Sequence, residues 1–220
     1  MSQEREINAE RINIVDREGR VRLALFNPER MPDWIVGGVT YAGREKTEAG
    51  LVFYDGEGNE CGGLVFGSAT DADGHHSQGL SMTFDGYQQD QLLQLRSVDR
   101  DGGRLYGLVL TDRPQHPITE DLAMWDHIKT MEEGAEKEMA VAHARSLERH
   151  RAVFGRQEDG TVELALYDGY KRPRIRMTVG LEGNPALEFL DAEGRVTYRL
   201  APGAAGPDGD TASPAAGGDT

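Results

Sequence analysis

A short block of alternating apolar and polar residues that ends in an aspartate recurs along this chain. In five copies an apolar residue lies two and four positions before the aspartate, and turn-forming residues follow it. The five aspartates are Asp16, Asp55, Asp112, Asp168 and Asp191. Period-2 alternation that stops at such a corner is typical of a β-strand entering a turn. A chain built from these blocks is constrained to fold as a series of antiparallel β-hairpins.

The stretch from Ser81 to Leu95, read SMTFDGYQQDQLLQL, departs from this block. Its aspartate, Asp85, is preceded at the same two offsets by Thr83 and Ser81, and the apolar set moves to neighbouring positions. One interpretation is a one-residue register shift or bulge without functional meaning. The other is that the hydroxyls, Asp85 and Tyr87 face the interior together and line a polar cavity.

The turn that follows Asp85 is rich in carboxamides. A buried row of Gln and Asp is costly unless each polar atom is bonded, so these residues lie either in water or in a satisfied network. A network of that kind can orient a ligand or keep one carboxyl protonated for acid catalysis. The candidate catalytic residues are therefore Asp85, Asp90 and Tyr87, and the candidate ligand-binding residues are Ser81, Thr83, Gln88, Gln89, Gln91, Trp34 and Trp125.

Two tryptophans lie outside the repeating blocks. Residues 27–46, with two prolines and paired glycines, indicate a loop or an irregular edge segment in which Trp34 either caps the sheet or forms the rim of a ligand site. After Pro117 the period changes to that of a helix, and Trp125 lies on its apolar stripe. That stripe indicates either a core contact or a lid over a cavity.

Composition limits the possible partners and cofactors. The 220 residues carry a formal charge of −14, which excludes duplex nucleic acid because nothing offsets phosphate repulsion. The single cysteine, Cys61, excludes an intramolecular disulfide and a Cys-rich zinc cluster. The loop with Asp71, Asp73 and His75 resembles the start of a calcium loop but lacks its later ligands. We expect no metal and no cofactor.

The termini and the hydropathy bear on location. The start, MSQEREIN, has no charged-then-apolar leader, and no apolar run approaches the length needed to span a membrane. A cytoplasmic protein without membrane contact is the expectation, and the oligomeric state is left open.

The expected fold is mainly β: an antiparallel hairpin meander closed into a barrel, a roll or a propeller-like ring, with a two-helix insertion. Closure would remove the sheet edges that consecutive hairpins otherwise expose. Residues 1–10 form a polar lead-in, residues 11–200 a single β domain with helices at about 118–149, and residues 201–220 a disordered tail of Ala, Gly, Pro and Asp.

Several segments together resemble a family of uncharacterised bacterial proteins. They are RINIVDREGRVRLAL, AGLVFYDGEGNECGGLVFG, SMTFDGYQQDQ, GLVLTDRP and LEFLDAEGRVTYRL, and they span most of residues 11–200. The resemblance supports the division into hairpins. It implies no activity, because none is assigned to that family.

Two hypotheses for the function follow from the residues. The first is a small-molecule site in the β-scaffold, with possible cofactor-free acid–base chemistry such as cyclisation, isomerisation or hydrolysis. The second is a non-catalytic structural or interaction module that displays acidic turns to a protein partner. The departure at Ser81 to Asp85 favours the first, although catalysis itself is left open.

Overall fold

The computed structural model describes residues 6–203, so most of the predicted C-terminal tail, from residue 204 on, and residues 1–5 of the predicted lead-in lie outside the described part. The strands are β1 Arg11–Val15, β2 Val21–Phe26, β3 Trp34–Val36, β4 Val39–Tyr41, β5 Ala49–Tyr54, β6 Glu60–Thr70, β7 His76–Asp85, β8 Gln91–Arg100, β9 Gly103–Asp112, β10 Arg149–Arg156, β11 Val162–Tyr167, β12 Pro173–Val179, β13 Pro185–Leu190 and β14 Val196–Leu200. The helices are α1 Ile118–Thr130 and α2 Ala135–Leu147, and Pro28–Arg30 forms one 3-10 turn.

Twelve of the strands form one antiparallel sheet in which neighbours in sequence are neighbours in space. Its order is β1-β2-β5-β6-β7-β8-β9-β10-β11-β12-β13-β14. The predicted mainly-β meander with a two-helix insertion is therefore confirmed, and both helices fall between β9 and β10. None of the helices in the described part is long and apolar enough to cross a membrane.

The expected closure of the sheet is not found in residues 6–203. Strands β1 and β14 stand at the two ends of the strand order and do not pair with each other. The alternation of apolar residues determines which face of a strand is buried, but closure depends on strand tilt and stagger, which that pattern does not encode. Barrel, roll and ring closure stay predictions.

The aspartate at the end of a block organises its turn. Asp16 Oδ1 accepts hydrogen bonds from the backbone N–H groups of Glu18 at 3.0 Å and Arg20 at 2.9 Å, and its Oδ2 pairs with the Arg20 guanidinium. Asp168 and Asp191 repeat this arrangement with an arginine four residues on. The carboxylate thus satisfies the backbone donors of its own turn, as the sequence pattern predicts.

The expectation of a loop or irregular edge over residues 27–46 is wrong for its central part. Trp34–Val36 and Val39–Tyr41 form a separate two-stranded hairpin, β3–β4. Gly37 and Gly38 join the strands with φ values of 56° and 73°. This left-handed pair suits the two-residue turn that matches strand twist, and glycine adopts it without a steric penalty.

The two faces of the large sheet differ. The cavity face carries Ala24 and Val52, which pack with Met31, Phe26 and Tyr54 into a buried cluster near hairpin β3–β4. The opposite face, called the apolar face below, carries the apolar residues of the repeating blocks, from Ile12 and Ile14 in β1 to Leu187 and Phe189 in β13. Hence the core lies on the face that the repeating pattern does not mark.

Candidate functional site

A cavity of about 540 Å³ lies on the cavity face, next to hairpin β3–β4. Its sheet residues come from β5, β6, β7 and the start of β8, and its outer wall comes from β3, β4 and the segment after β4. The lining residues are Trp34, Tyr41, Ala42, Gly43, Arg44, Glu48, Val52, Glu60, Gly63, Val65, Ser81, Thr83, Asp85, Asp90 and Gln91. The structure therefore brings together six of the ten candidate residues: Trp34, Ser81, Thr83, Asp85, Asp90 and Gln91.

Ser81 and Thr83 reach the cavity because of the strand register and not because of a flipped pleat. Met82 pairs with Leu64 and Leu95, so the apolar residues of β7 stay on the same face as those of its neighbours. The β7–β8 pair does have a register shift, between Phe84 and Asp85, and the β1–β2 pair has one at the equivalent place, between Ile14 and Val15. Strand β7 keeps the common register, and its cavity-facing positions carry hydroxyls.

Asp85 differs from the turn aspartates by one position along the chain. In the regular turns the first residue is aspartate, and its N–H donates to the carbonyl four residues on, as Asp16 does to Arg20. In the β7–β8 turn this role belongs to Gly86, whose N–H donates to Asp90 O. The carboxyl of Asp85 is therefore still on the strand, paired across from Gln91, and it cannot cap the turn.

This displacement changes the electrostatics of the carboxyl. Asp85 Oδ1 is buried and, within residues 6–203, has no hydrogen-bond partner. Burial in first place, and then the nearby charges of Asp90 and Glu60, raise the pKa of Asp85 to about 7, against weaker opposing effects from Thr83 and Arg113. By contrast, the Arg172 side chain and backbone N–H groups hold the pKa of the turn residue Asp168 at about 2. The same type of side chain is therefore held as an anion in one setting and titrates near neutral pH in the other.

Two arginines pair with two of the other carboxylates of the cavity, Glu60 and Asp90. Arg44 donates to both carboxylate oxygens of Glu60, at 2.9 and 3.1 Å. Arg113 pairs with Asp90 at 3.3 Å. Burial raises the pKa of Glu60, while its bonds to Arg44 favour the charged form. Asp85 and Glu48 are the lining carboxyls without a cationic partner in the described part of the chain, and of these two Asp85 has a buried oxygen without a hydrogen bond.

Arg44, Glu60 and Arg113 were missed by reasoning from the sequence. Arg44 lies in a segment without regular strand structure, and Arg113 follows β9 more than twenty residues after Asp90. Their contacts depend on chain segments that meet only in the folded sheet. Two acidic residues as close together as Asp85 and Asp90 favour an arginine nearby to balance their charge, but no local spacing in the sequence identifies which arginine it is.

Tyr87 and Gln88 lie outside the cavity, contrary to the expectation that they line it. Tyr87 is 72% exposed, and its hydroxyl donates to Glu57 at 3.1 Å. Gln88 contacts the same carboxylate at 3.5 Å. Both side chains connect neighbouring turns, because positions 87 and 88 form the outer corner of the loop. The hydrogen bond to Glu57 raises the pKa of the Tyr87 phenol.

Gln89 is also absent from the cavity lining, but it is almost fully buried. Its amide nitrogen donates to His116 O at 3.0 Å and to Asp121 Oδ2 at 3.2 Å, and its oxygen accepts from the N–H of Asp90. Gln88 O also accepts from the N–H of Ile118. Gln89 therefore attaches the turn to the start of α1, so its polar atoms form a satisfied network that serves the structure.

Trp125 lines a second hollow, of about 610 Å³, between the helices and the sheet. Trp34 and Asp90 border both hollows, so the two adjoin along these side chains. Trp125 is consequently near the site without facing Asp85. Its stripe on α1 contributes a wall to the second hollow.

The loop after β6 contains the group of possible metal ligands that the sequence suggested. Ligand atoms of Asp71, Asp73 and His75 lie within 4.8 Å of one another, and all three residues are exposed. Asp71 Oδ1 already accepts from the backbone N–H groups of Asp73 and His75, each at 2.9 Å. The group is the ordinary capped turn of this fold, with histidine where other turns have arginine.

The chain matches no protein-family model, and no curated protein matches it in sequence. The class of the site therefore rests on its geometry: a cavity on a β-sheet with a buried, unbonded carboxyl oxygen, that of Asp85, beside two arginine–carboxylate pairs. The resemblance to a family of bacterial proteins stays a prediction.

Proposed function

We propose that the cavity on the sheet binds a small molecule and that Asp85 exchanges a proton with it, without a cofactor. The observation that carries this proposal is the buried Oδ1 atom of Asp85, which lines the cavity and has no partner in residues 6–203. A buried polar atom without a hydrogen bond is destabilising, by roughly 1–3 kcal/mol. A ligand that bonds this atom would offset that cost.

The acid–base chemistry follows from the pKa of the carboxyl. With a pKa of about 7, Asp85 is close to half protonated at neutral pH. A general acid or base is most effective when its pKa lies near the working pH. In this proposal Asp85 donates a proton to a carbonyl or leaving-group oxygen, or removes one from carbon, as in cyclisation, isomerisation or hydrolysis.

The other lining residues indicate the substrate class. Since Glu60 and Asp90 are paired with Arg44 and Arg113, the cavity offers no unpaired cation to a strongly anionic ligand. Ser81, Thr83 and Gln91 supply donors and acceptors, while Trp34 and Tyr41, whose ring centroids are 5.4 Å apart with the rings tilted by 41°, supply an aromatic wall. The favoured ligand is an uncharged polar molecule with a planar or cyclic part.

Native mass spectrometry of the purified chain tests binding. We expect a co-purifying small molecule, or one captured from a panel of uncharged polar metabolites, to be retained by the wild type and lost in Asp85→Asn. Asp126→Asn is the matched control, because Asp126 is an exposed carboxylate paired with Lys129 on α1. Equal retention by wild type and Asp85→Asn would contradict the proposal, as would the absence of any captured molecule.

Asp90→Asn separates the role of the ion pair from that of the free carboxyl. It leaves Arg113 paired with Glu148 alone, at 3.5 Å, and removes one of the charges that raise the pKa of Asp85. We expect weaker binding and a lower pH midpoint for any activity. A midpoint unchanged by Asp90→Asn would show that another group titrates.

A non-catalytic interaction module is the alternative function. Display of acidic turns to a protein partner is not favoured, because the carboxylates of Asp16, Asp168 and Asp191 are bonded within their own turns. The exposed apolar face of the sheet does favour an interaction role. The cytoplasmic location, the lack of nucleic-acid binding and the closure of the sheet stay predictions under either function.

A further inference from the structure

Rows of apolar side chains cross the whole sheet on the face opposite the cavity. The central row has an apolar residue on every one of the 12 strands of the sheet, and it includes Ile12, Leu51, Met82, Leu95, Phe154 and Leu200. A second row lies beside it, two residues away on each strand, and runs from Ile14 through Phe84 to Tyr198. Neither row contains a charged residue.

These rows are open to solvent in the described chain. Their larger side chains, such as Leu110, Leu95 and Phe154, are 37%, 49% and 55% exposed. The fully buried residues Ala24, Val52 and Ala165 belong to the other face. The apolar face is therefore built like the inner layer of a β-sandwich, but the layer that would cover it is absent from residues 6–203.

We propose that the apolar face packs against the same face of a second copy of this chain. Sheets pack face to face about 10 Å apart, with strand directions within about 30° of each other, and their inward side chains interdigitate. The face has uniform chemistry from end to end, so it complements itself. A two-fold axis through its centre would place identical rows in contact.

The area of the face is sufficient for a stable pair. With strands about 4.8 Å apart and two rows that each cover about 7 Å along the strand, the apolar part of the 12-stranded face measures roughly 55 by 14 Å, or roughly 770 Å². A pair would bury roughly 1,500 Å² in total, which is the size of a stable protein interface. Apolar patches on ordinary monomers reach only about 300–600 Å².

Charge and composition identify the occupant as another copy. A charged partner would have to bury its charged groups against the central row and the second row. Neither row has a charged residue to pair with them, so this burial is costly. Of the given sequence, residues 1–5 and 204–220 contain one large apolar residue, Met1, which is too little to fill such a layer. The charged residues that give the net charge of −14 lie outside the central row and the second row, so repulsion between copies acts at surfaces other than the interface.

Sedimentation velocity of the full chain across a dilution series tests the proposal. We expect a mass of twice 24.2 kDa at micromolar concentration. Leu95→Glu, which places a charge in the central row, should weaken association by at least 100-fold. Met139→Glu is the matched control, since Met139 is a 67% exposed apolar residue on α2, and it should leave association unchanged.

The outcomes separate the possible occupants. A larger oligomer that Leu95→Glu dissociates supports the proposal, because the occupant is still the same chain. A monomeric wild type overturns it, whether or not the protein then binds neutral phosphatidylcholine vesicles. A dimer that Leu95→Glu leaves intact also overturns it. If Leu95→Glu loses its far-UV β-sheet signal, Phe154→Ser, a milder change in the same row, is scored in its place.

Discussion

At the scale of single residues, the position of one aspartate relative to its turn decides its chemistry. Asp191 begins its turn, where the Arg195 side chain and backbone lower its pKa. Asp85 comes one residue too early to do this, and burial raises its pKa to about 7. A shift of a single position along the chain therefore converts a turn cap into a group that titrates near neutral pH.

Asp85→Asn is expected to stabilise the protein at high pH. The folded-state pKa of about 7 lies above the unfolded value of 3.8, so the folded chain binds the extra proton between these pH values. Stability from this group is therefore present below about pH 4 and is lost as pH rises to about 7. Relative to wild type, the variant should gain about 2–4 kcal/mol between pH 4 and pH 8 in urea unfolding. A difference that does not change with pH would contradict this prediction.

Asp168→Asn is expected to show the opposite dependence on pH. The pKa of Asp168 is about 2 in the folded chain, because Arg172 and backbone N–H groups bond its charged form. Its stabilisation is present above about pH 4 and is lost as pH falls towards 2. The variant should therefore be less stable than wild type at pH 6, with the deficit shrinking towards pH 2 in urea unfolding. A deficit that persists unchanged at pH 2 would show that the charge is not involved.

At the scale of elements, the β7–β8 turn connects the sheet to the helices. Gln89 donates to the carbonyl of His116 and to Asp121, and both acceptors lie at the start of α1. The adjacent hollow lies between Trp34 on β3 and Trp125 on α1. The start of α1 is consequently attached to the sheet by the Gln89 side chain and the Gln88 carbonyl of this turn.

Gln89→Ala is expected to loosen the helical pair. It removes the donor to the His116 carbonyl and leaves the Asp121 carboxylate with the His116 ring as its contact, at a cost of about 1–3 kcal/mol in unfolding free energy. Amide hydrogen exchange should increase across Ile118–Thr130 more than in the sheet. Gln88→Ala is the control, because its side chain contacts only groups in the exposed turns, at Glu57 and Tyr87. Equal exchange in both variants would contradict the role of Gln89.

The elements also show how far the sequence could be interpreted. The alternation around Ile12, Leu51 and Leu164 predicts strands, because one face of each strand repeats with period 2. Hairpin β3–β4 was missed because strands of three residues are too short to show a period. The unusual position of Asp85 could be seen in the sequence, because the residues two and four positions before it are not apolar. The hydrogen-bond partners of Gln89 could not be predicted, because they lie about thirty residues further along the chain.

At the scale of the whole molecule, the apolar pattern and the buried core lie on opposite faces of the sheet. A strand pattern indicates which side chains share a face, and here that face is marked by Leu95 and Phe154. It does not indicate what covers the face, whether by closure of the sheet or by another chain. That is the reason why closure was expected from the sequence and is not seen in the described chain.

Thermal unfolding is expected to depend on concentration. If the apolar face is buried between two copies, association stabilises the folded chain by mass action, so Tm should rise with protein concentration. In Leu95→Glu the midpoint should be lower and independent of concentration. Differential scanning calorimetry at several concentrations makes the comparison. A wild-type Tm that stays constant would argue against pairing.

Asp85 is a carboxyl that lines the cavity and has a pKa near neutral. Carbon-13 NMR of the side-chain carboxyls, with the Asp85 signal assigned by its loss in Asp85→Asn, measures this titration directly. The structure predicts a midpoint at about pH 7. A midpoint near 4, as for an ordinary exposed aspartate, would contradict both the site and the proposed chemistry.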